Sequence, residues 1–283
     1  MTVDVVPSPD LPKHHAQLLE AHRAFIRDAM GMVAPAMQQA QKSPGNFTLC
    51  AIFNRLLRMA RTIQMMASNG YADGSQSVAR SMVNAAVDII FIAEKDTNER
   101  ALTYAMHSRE RRRRRAKSLA DHGFIRKDQA EAWDAQETQK EEESLIQHAA
   151  SGVKPMEKLA DRKTSWHGQS DEYLIRAVGR GDWYDLYYVP FSDTAHANVV
   201  GSLKEMQELA AGEVNIGPRF DDVPLSVVIL ASADTLSKAL SEINRYFALG
   251  LEKEVENMKM KMFDAVKQYN AAMNVKLPSV LEP

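Results

Sequence analysis

Apolar residues recur along this chain at intervals of three and four, the spacing that gathers them on one face of a helix. Over residues 13 to about 41, Leu18, Leu19, Ala21, Phe25, Ile26, Met30 and Val33 keep that interval, with Pro35 as a kink or stop. Ser43-Pro44-Gly45-Asn46 reads as the turn that closes this segment. A second helix is predicted over 47–68, with Leu49, Ile52, Phe53, Leu56, Leu57, Ala60 and Ile63 on one broad face and Asn69-Gly70 ending it. A third covers about 73–95 and a fourth about 98–122. A fifth, over 127 to about 150, is polar almost all round, as an exposed helix held by pairing is.

Regularity then weakens. Gly152, Pro155, Gly168, Gly179 and Gly181 leave room for short helices at most in 151–182, and Pro190 interrupts a segment over 184–203. A loop passes through Gly212, Gly217 and Pro218 before long helices resume over 224–249 and 251–273. Pro7, Pro9 and Pro12 make 1–12 an extended arm, and 274–283 form a tail. The expected organisation is one all-α domain over 13–273 between arm and tail.

Composition supports that reading. Only 13 Gly and 11 Pro occur in 283 residues, and the hydrophobic content of 45% suffices for a large core. Fifteen Met suit adaptable helix seams. With 35 basic against 37 acidic side chains, no global field draws nucleic acid or a membrane, so such a partner needs a local patch. The single Cys50, among Leu49, Ala51 and Ile52, excludes an internal disulfide and reads as a buried thiol, so no disulfide-linked partner is expected. No apolar run approaches the length of a membrane span, and the opening MTVDVVPSPDLPKHH lacks the pattern of a secretory leader. The expected location is the cytoplasm, with no membrane partner.

The third helix carries an anomaly. VARSMVNAAVDIIFIA is apolar nearly all round, yet Arg80, Asn84 and Asp88 fall on one line of it. They could form a narrow solvent face, a buried network, or the wall of a cavity for an anion such as phosphate.

Arg109, Arg111, Arg112, Arg113, Arg114, Arg115 and Lys117 against Glu110 give a local net of +6. Such runs suggest RNA or DNA phosphates as partners. The fifth helix offers a competing partner: Asp128, Glu131, Asp134, Glu137, Glu141, Glu142 and Glu143 against Lys140 give −6. An antiparallel hairpin about Gly123 would lay these faces together. Only Phe124 and Trp133 interleave, which is poor for a stacking platform.

Reactive side chains cluster in W166-H167-G168 and in the stretch from Asp182 to His196. Pro190 suits a first helical turn, so Ser192 could cap a helix that carries His196 one turn on. His196, with Ser192 and Tyr188 brought against Arg80, is chemically sufficient for metal-independent phosphodiester cleavage. Alternatively His196 satisfies a buried tyrosine or carbonyl. No His-x3-His or His-Glu-x-x-His pattern suggests a metal.

R80-S81-M82-V83-N84, R100-A101-L102-T103-Y104, W166-H167-G168 and the stretch from Tyr184 to His196, taken in order, resemble a widespread bacterial family of helical proteins of unknown function. That family shows Arg-Ser-x-x-Glu, then Trp-x-Gly, then Tyr-x3-Ser-x3-His. The resemblance spans about 45–205. The family's Glu falls on Asn84 here, with Asp88 one turn on as a substitute. In helical layout this family is similar to the HEPN superfamily, many of whose members are RNA-cutting toxins or antiviral effectors with an Arg-x4-6-His motif, often dimeric. The pairs Arg100 and His107, Arg115 and His122, and Arg162 and His167 all fit that spacing.

The resemblance thus implies a HEPN-like helical bundle with long additional N- and C-terminal helices, acting as a metal-independent endoribonuclease of toxin or phage-defence type. Arg80, Tyr188, Ser192 and His196 are its expected catalytic residues, supported by Asn84, Asp88, Trp166, His167 and Tyr184. RNA and a second copy of the chain are the expected partners, with no cofactor. Two other readings stay open: a noncatalytic helical binding or scaffold protein for nucleic acid, a protein or a small ligand, and a small-molecule enzyme built around the same pocket.

Overall fold

The computed structural model of the protein describes residues 11–149, 152–154, 165–195 and 222–274. No strand occurs among them, and the fold is all-α. Its helices are α1 (Lys13–Met37), α2 (Pro44–Ser68), α3 (Gln76–Glu94), α4 (Thr97–Asp121), α5 (Lys127–Ala149), α6 (Asp171–Ala177), α7 (Val189–Ala195), α8 (Asp222–Phe247) and α9 (Glu252–Ala272). The arm at 1–10, the loop through Gly212 to Pro218, the tail after 274 and His196 lie outside the described residues.

α2, α3 and α8 pack on one another and hold the centre of the core, where Phe53, Leu56, Met82, Ile89, Leu236 and Ile243 are wholly enclosed. α1 and α9 cover α2 and α8, while α4 lies against α2 and carries α5 outside it. The predicted helices are all present, with two shifts. Pro35 sits inside the last turn of α1, which stops at Met37. Ser43-Pro44 starts α2 rather than closing the preceding segment: the Ser43 hydroxyl accepts from the Asn46 N–H at 3.1 Å, and Pro44, lacking an N–H, fits the first turn.

Between α6 and α7 the chain is helical but unevenly wound. A turn at Gly181–Trp183 leads into a π-helical turn at Tyr184–Tyr188 and then α7. Pro190 gives the reason, because its ring crowds the carbonyl four residues earlier in an α-helix, and a wider turn relieves that contact. Ser192 is therefore inside α7 rather than at its cap, and its hydroxyl donates to the Tyr188 carbonyl at 2.6 Å.

One buried polar group ties three helices. His22 of α1, fully enclosed, meets Gln64 Oε1 of α2 through Nδ1 at 2.8 Å and Ser232 Oγ of α8 through Nε2 at 3.0 Å. Burial drives its pKa down from 6.5 to about 4, against a smaller opposing effect of the Gln64 bond. The unfolded chain protonates His22 near 6.5 and the folded chain only near 4, so between those values the unfolded state binds more protons. Stability from this residue is thus complete above about 6.5 and is lost as pH falls, by on the order of 3 kcal/mol at pH 4. Urea titrations at pH 7 and pH 4.5 should show this difference in the native protein and a much smaller one in His22→Gln. An equal difference in both would assign the acid sensitivity elsewhere.

Candidate functional site

Two residues, Lys95 and Asp96, join α3 to α4, with Asp96 in the left-handed region at φ 48°. α4 packs chiefly on α2 and touches α3 little, so a space opens between α3 and α4. Ser81, Asn84 and Asp88 face it from α3, and Tyr104, His107 and Arg111 from α4. These six side chains line a cavity of about 330 Å³, closed on the α2 side by Arg55.

The roof is the Ser165 to Asp171 segment. Gly168, at φ 70°, takes a left-handed conformation that only glycine adopts without strain, and its N–H closes a tight turn on the Ser165 carbonyl at 3.2 Å. That turn delivers Trp166 and His167 together. Trp166 donates its indole N–H to Asp88 Oδ1 at 2.8 Å and stands edge-on to Phe91 and Tyr104. His167 Nδ1 accepts the Gln169 N–H at 3.2 Å, which places its proton on Nε2. Ser170 caps α6 by accepting from the Tyr173 N–H, and Asp171, next in sequence, reaches the cavity.

The electrostatics of this space differ from those of a surface. Burial pushes the Asp88 carboxyl up to about 7; Asp171 adds to the rise, while the Trp166 bond and the Arg55 charge oppose it. His107 is held below the usual imidazole range by burial and by the nearby guanidiniums of Arg111 and Arg114. His167 is lowered by burial, with His107 acting the same way and Asp171 against. Tyr104 is raised to about 12, chiefly by burial, despite its hydrogen bond to Arg55. Near neutral pH the cavity therefore holds two neutral imidazoles, a carboxyl poised between its forms, the Asp171 carboxylate, and the guanidiniums of Arg55 and Arg111.

The site expected from sequence is distributed around this cavity. Asn84, Asp88, Trp166 and His167 line it. Arg80 and Tyr188 meet each other, with the Arg80 Nη2 donating to the Tyr188 hydroxyl at 2.8 Å and the guanidinium 4.7 Å above its ring. The Tyr188 hydroxyl in turn donates to Asp171, so this pair reaches the cavity through that carboxylate. Tyr184 stacks on Tyr188. Ser192 spends its hydroxyl on the backbone, as described, and His196 lies outside the described residues.

Sequence reasoning did not place Arg55, Tyr104, His107, Ser108, Arg111 or Asp171 in one site. A signal existed for four of them: Tyr104, His107, Ser108 and Arg111 stand at i, i+3, i+4 and i+7 and share one face of α4. Asp171 resembles any acidic residue in a first helical turn. Among the described residues no three His, Cys, Asp or Glu side chains are grouped to hold a metal ion.

The basic run divides between two faces. Arg112 pairs with Glu137 at 3.1 Å, Arg113 lies 3.9 Å from Asp134 and donates to Thr138 at 3.3 Å, and Arg109 donates to the Lys140 carbonyl at 3.0 Å. Arg114 pairs with Glu110 within α4. Arg111 faces the cavity instead. No described helix is long and apolar enough to cross a membrane.

Comparison with known proteins adds one finding. Residues 46–212 match the model of a family described only as a family of unknown function, DUF5677. No curated protein and no solved structure matches the chain.

Proposed function

The chain belongs to that family of unknown function, and on this premise we propose that it is a metal-independent endoribonuclease whose site is the cavity between α2, α3, α4 and the Trp166–His167 roof. The observation that carries the reading is one partly open cavity lined by two imidazoles held below their usual pKa, a carboxyl near its midpoint, the Asp171 carboxylate and two guanidiniums. Pairs of titratable groups pushed apart by their surroundings are the mark of acid–base chemistry.

In this reading Arg55 and Arg111 hold the scissile phosphate. His107, neutral, takes the proton of the ribose 2′-hydroxyl as that oxygen forms a bond to phosphorus. His167 donates its Nε2–H to a nonbridging oxygen. The bond from phosphorus to the 5′-oxygen breaks, and that oxygen receives the proton of the Asp88 carboxyl. A 2′,3′-cyclic phosphate and a 5′-hydroxyl result. The Arg80–Tyr188–Asp171 chain positions the roof and touches no reacting atom.

The all-α layout and the Arg100 to His107 spacing favour a HEPN-like relationship, and with it we propose the dimeric state and the toxin or phage-defence role common in that superfamily. Arg100 itself is engaged elsewhere, on the Phe91 carbonyl and Glu94.

Incubation with total RNA in EDTA, with mapping of the cut ends, is the test. Termini bearing 2′,3′-cyclic phosphate support the reading, and intact RNA overturns it. The acid–base assignment has its own signature. kcat/KM should fall below the His107 pKa, as the base is protonated, and again above about pH 7, as Asp88 loses its proton. Asp88→Asn should lower the rate and remove the limb near 7. Persistence of that limb would move the acid to another group. The alternative of a noncatalytic anion-binding pocket draws on the same two arginines, and it predicts bound phosphate esters without turnover.

A further inference from the structure

A second cavity, of about 430 Å³, opens between α4 and α5, and nothing in the proposed chemistry uses it. Its floor is apolar, made by Ala116, Leu119 and the indole of Trp133. Arg112, Arg113 and Arg115 rim it, with Glu137 as the opposing charge. Of the three tryptophans in the chain, Trp166 is 6% exposed, Trp183 is enclosed and Trp133 is 50% exposed. A half-open indole forgoes burial that a helix hairpin could easily supply, and it offers a flat face to a ligand.

The two cavities are neighbours along α4. Arg111 belongs to the first and Arg115 to the second, one helical turn or about 6 Å apart. α5 supplies partners to Arg109, Arg112 and Arg113, whereas Arg111 and Arg115 lie exposed with no bond to α5 among the described contacts. A line of guanidiniums leading from the phosphate site to an aromatic platform matches what single strands require: charge along the backbone and a π-face for a base.

Resting on the ribonuclease reading, we propose that the α4–α5 cavity is a nucleobase subsite for single-stranded RNA. The strand's scissile phosphate lies between Arg55 and Arg111, a neighbouring phosphate lies at Arg115, and an unpaired base stacks on Trp133. A duplex cannot present a base face there, so the substrate class is single-stranded.

The test uses the full chain carrying His107→Ala to prevent cleavage. Binding of fluorescein-labelled single-stranded RNA, eight nucleotides long, is read by anisotropy beside a dinucleotide and a duplex of the same sequence. Trp133→Ala should weaken the octamer about tenfold and leave the dinucleotide unchanged, with Trp133→Phe restoring most of the affinity. Arg115→Glu should weaken the octamer and flatten its salt dependence.

An unchanged octamer affinity in Trp133→Ala overturns the subsite, as does tighter binding of the duplex. Displacement of the octamer by polyglutamate that itself requires Trp133 overturns it in favour of an acidic protein partner. Cleavage by the native protein, read separately, divides the two ideas. Cleavage with Trp133-independent binding removes the subsite alone, and Trp133-dependent binding without cleavage removes the nuclease alone.

Discussion

His107→Ala is expected to reduce RNA cleavage by about two to four orders of magnitude, the range that a positioned general base contributes. Its side chain is half-buried on the cavity wall, so its removal should leave the fold intact, and a thermal melt close to that of the native protein is part of the expected result. The loss should fall on kcat, because phosphate binding rests on Arg55 and Arg111. Arg80→Ala supplies the contrast. Arg80 acts through Tyr188 on Asp171, so its loss should cost about 10- to 100-fold, less than that of His107. The reverse ranking, with Arg80→Ala silent in binding but abolishing turnover and His107→Ala active, would move the chemistry to the Arg80–Tyr188 side and remove His107 as the base.

Trp183→Ala is expected to destabilise the fold by about 3–5 kcal/mol, as loss of a fully enclosed large aromatic does. More than volume is at stake. The indole N–H donates to Asp234 of α8 at 2.7 Å, Arg180 lies 4.4 Å above the ring, and the same guanidinium reaches Asp234 at 3.1 Å. Burial holds the Asp234 carboxyl above its ordinary pKa even with both partners present. Trp183→Phe, which keeps most of the volume and removes the donor, should cost about 1–3 kcal/mol. Urea midpoints at unchanged slope measure both. A Phe variant as stable as the native protein would show that the indole bond to Asp234 contributes nothing.

The long helices α1, α2, α8 and α9 were legible because each keeps one apolar period for about twenty residues or more. Phe53, Leu56 and Ile63 of α2 declare their buried face by spacing alone. Ser43-Pro44 was misjudged as a turn because the same residue types serve helix starts and turns, and only the next helical stretch tells them apart. The polar line of α3 was visible, and so was the loop that covers it. What that line faces was not, because His107 and Arg111 sit in a stretch so charged that their common face is masked by its neighbours. Asp171 was invisible for another reason: its partner Tyr188 is 17 residues away, and no local pattern encodes that meeting. Pairing of the arginine run with α5 was anticipated by charge balance, whereas the escape of Arg111 from that pairing depends on helical phase.

The bond between Trp166 and Asp88 spans 78 residues of chain. The walls of the cavity, by contrast, come from α2, α3 and α4, which follow one another through short connections. Loop-closure entropy separates these two kinds of contact in time: the walls can assemble from near neighbours, while the roof must return across a long closed loop. Closure of the roof is therefore expected to follow assembly of the walls. A newly made chain would carry the three-helix floor before it carried a closed site, so the chemistry would switch on only after the greater part of the protein had folded.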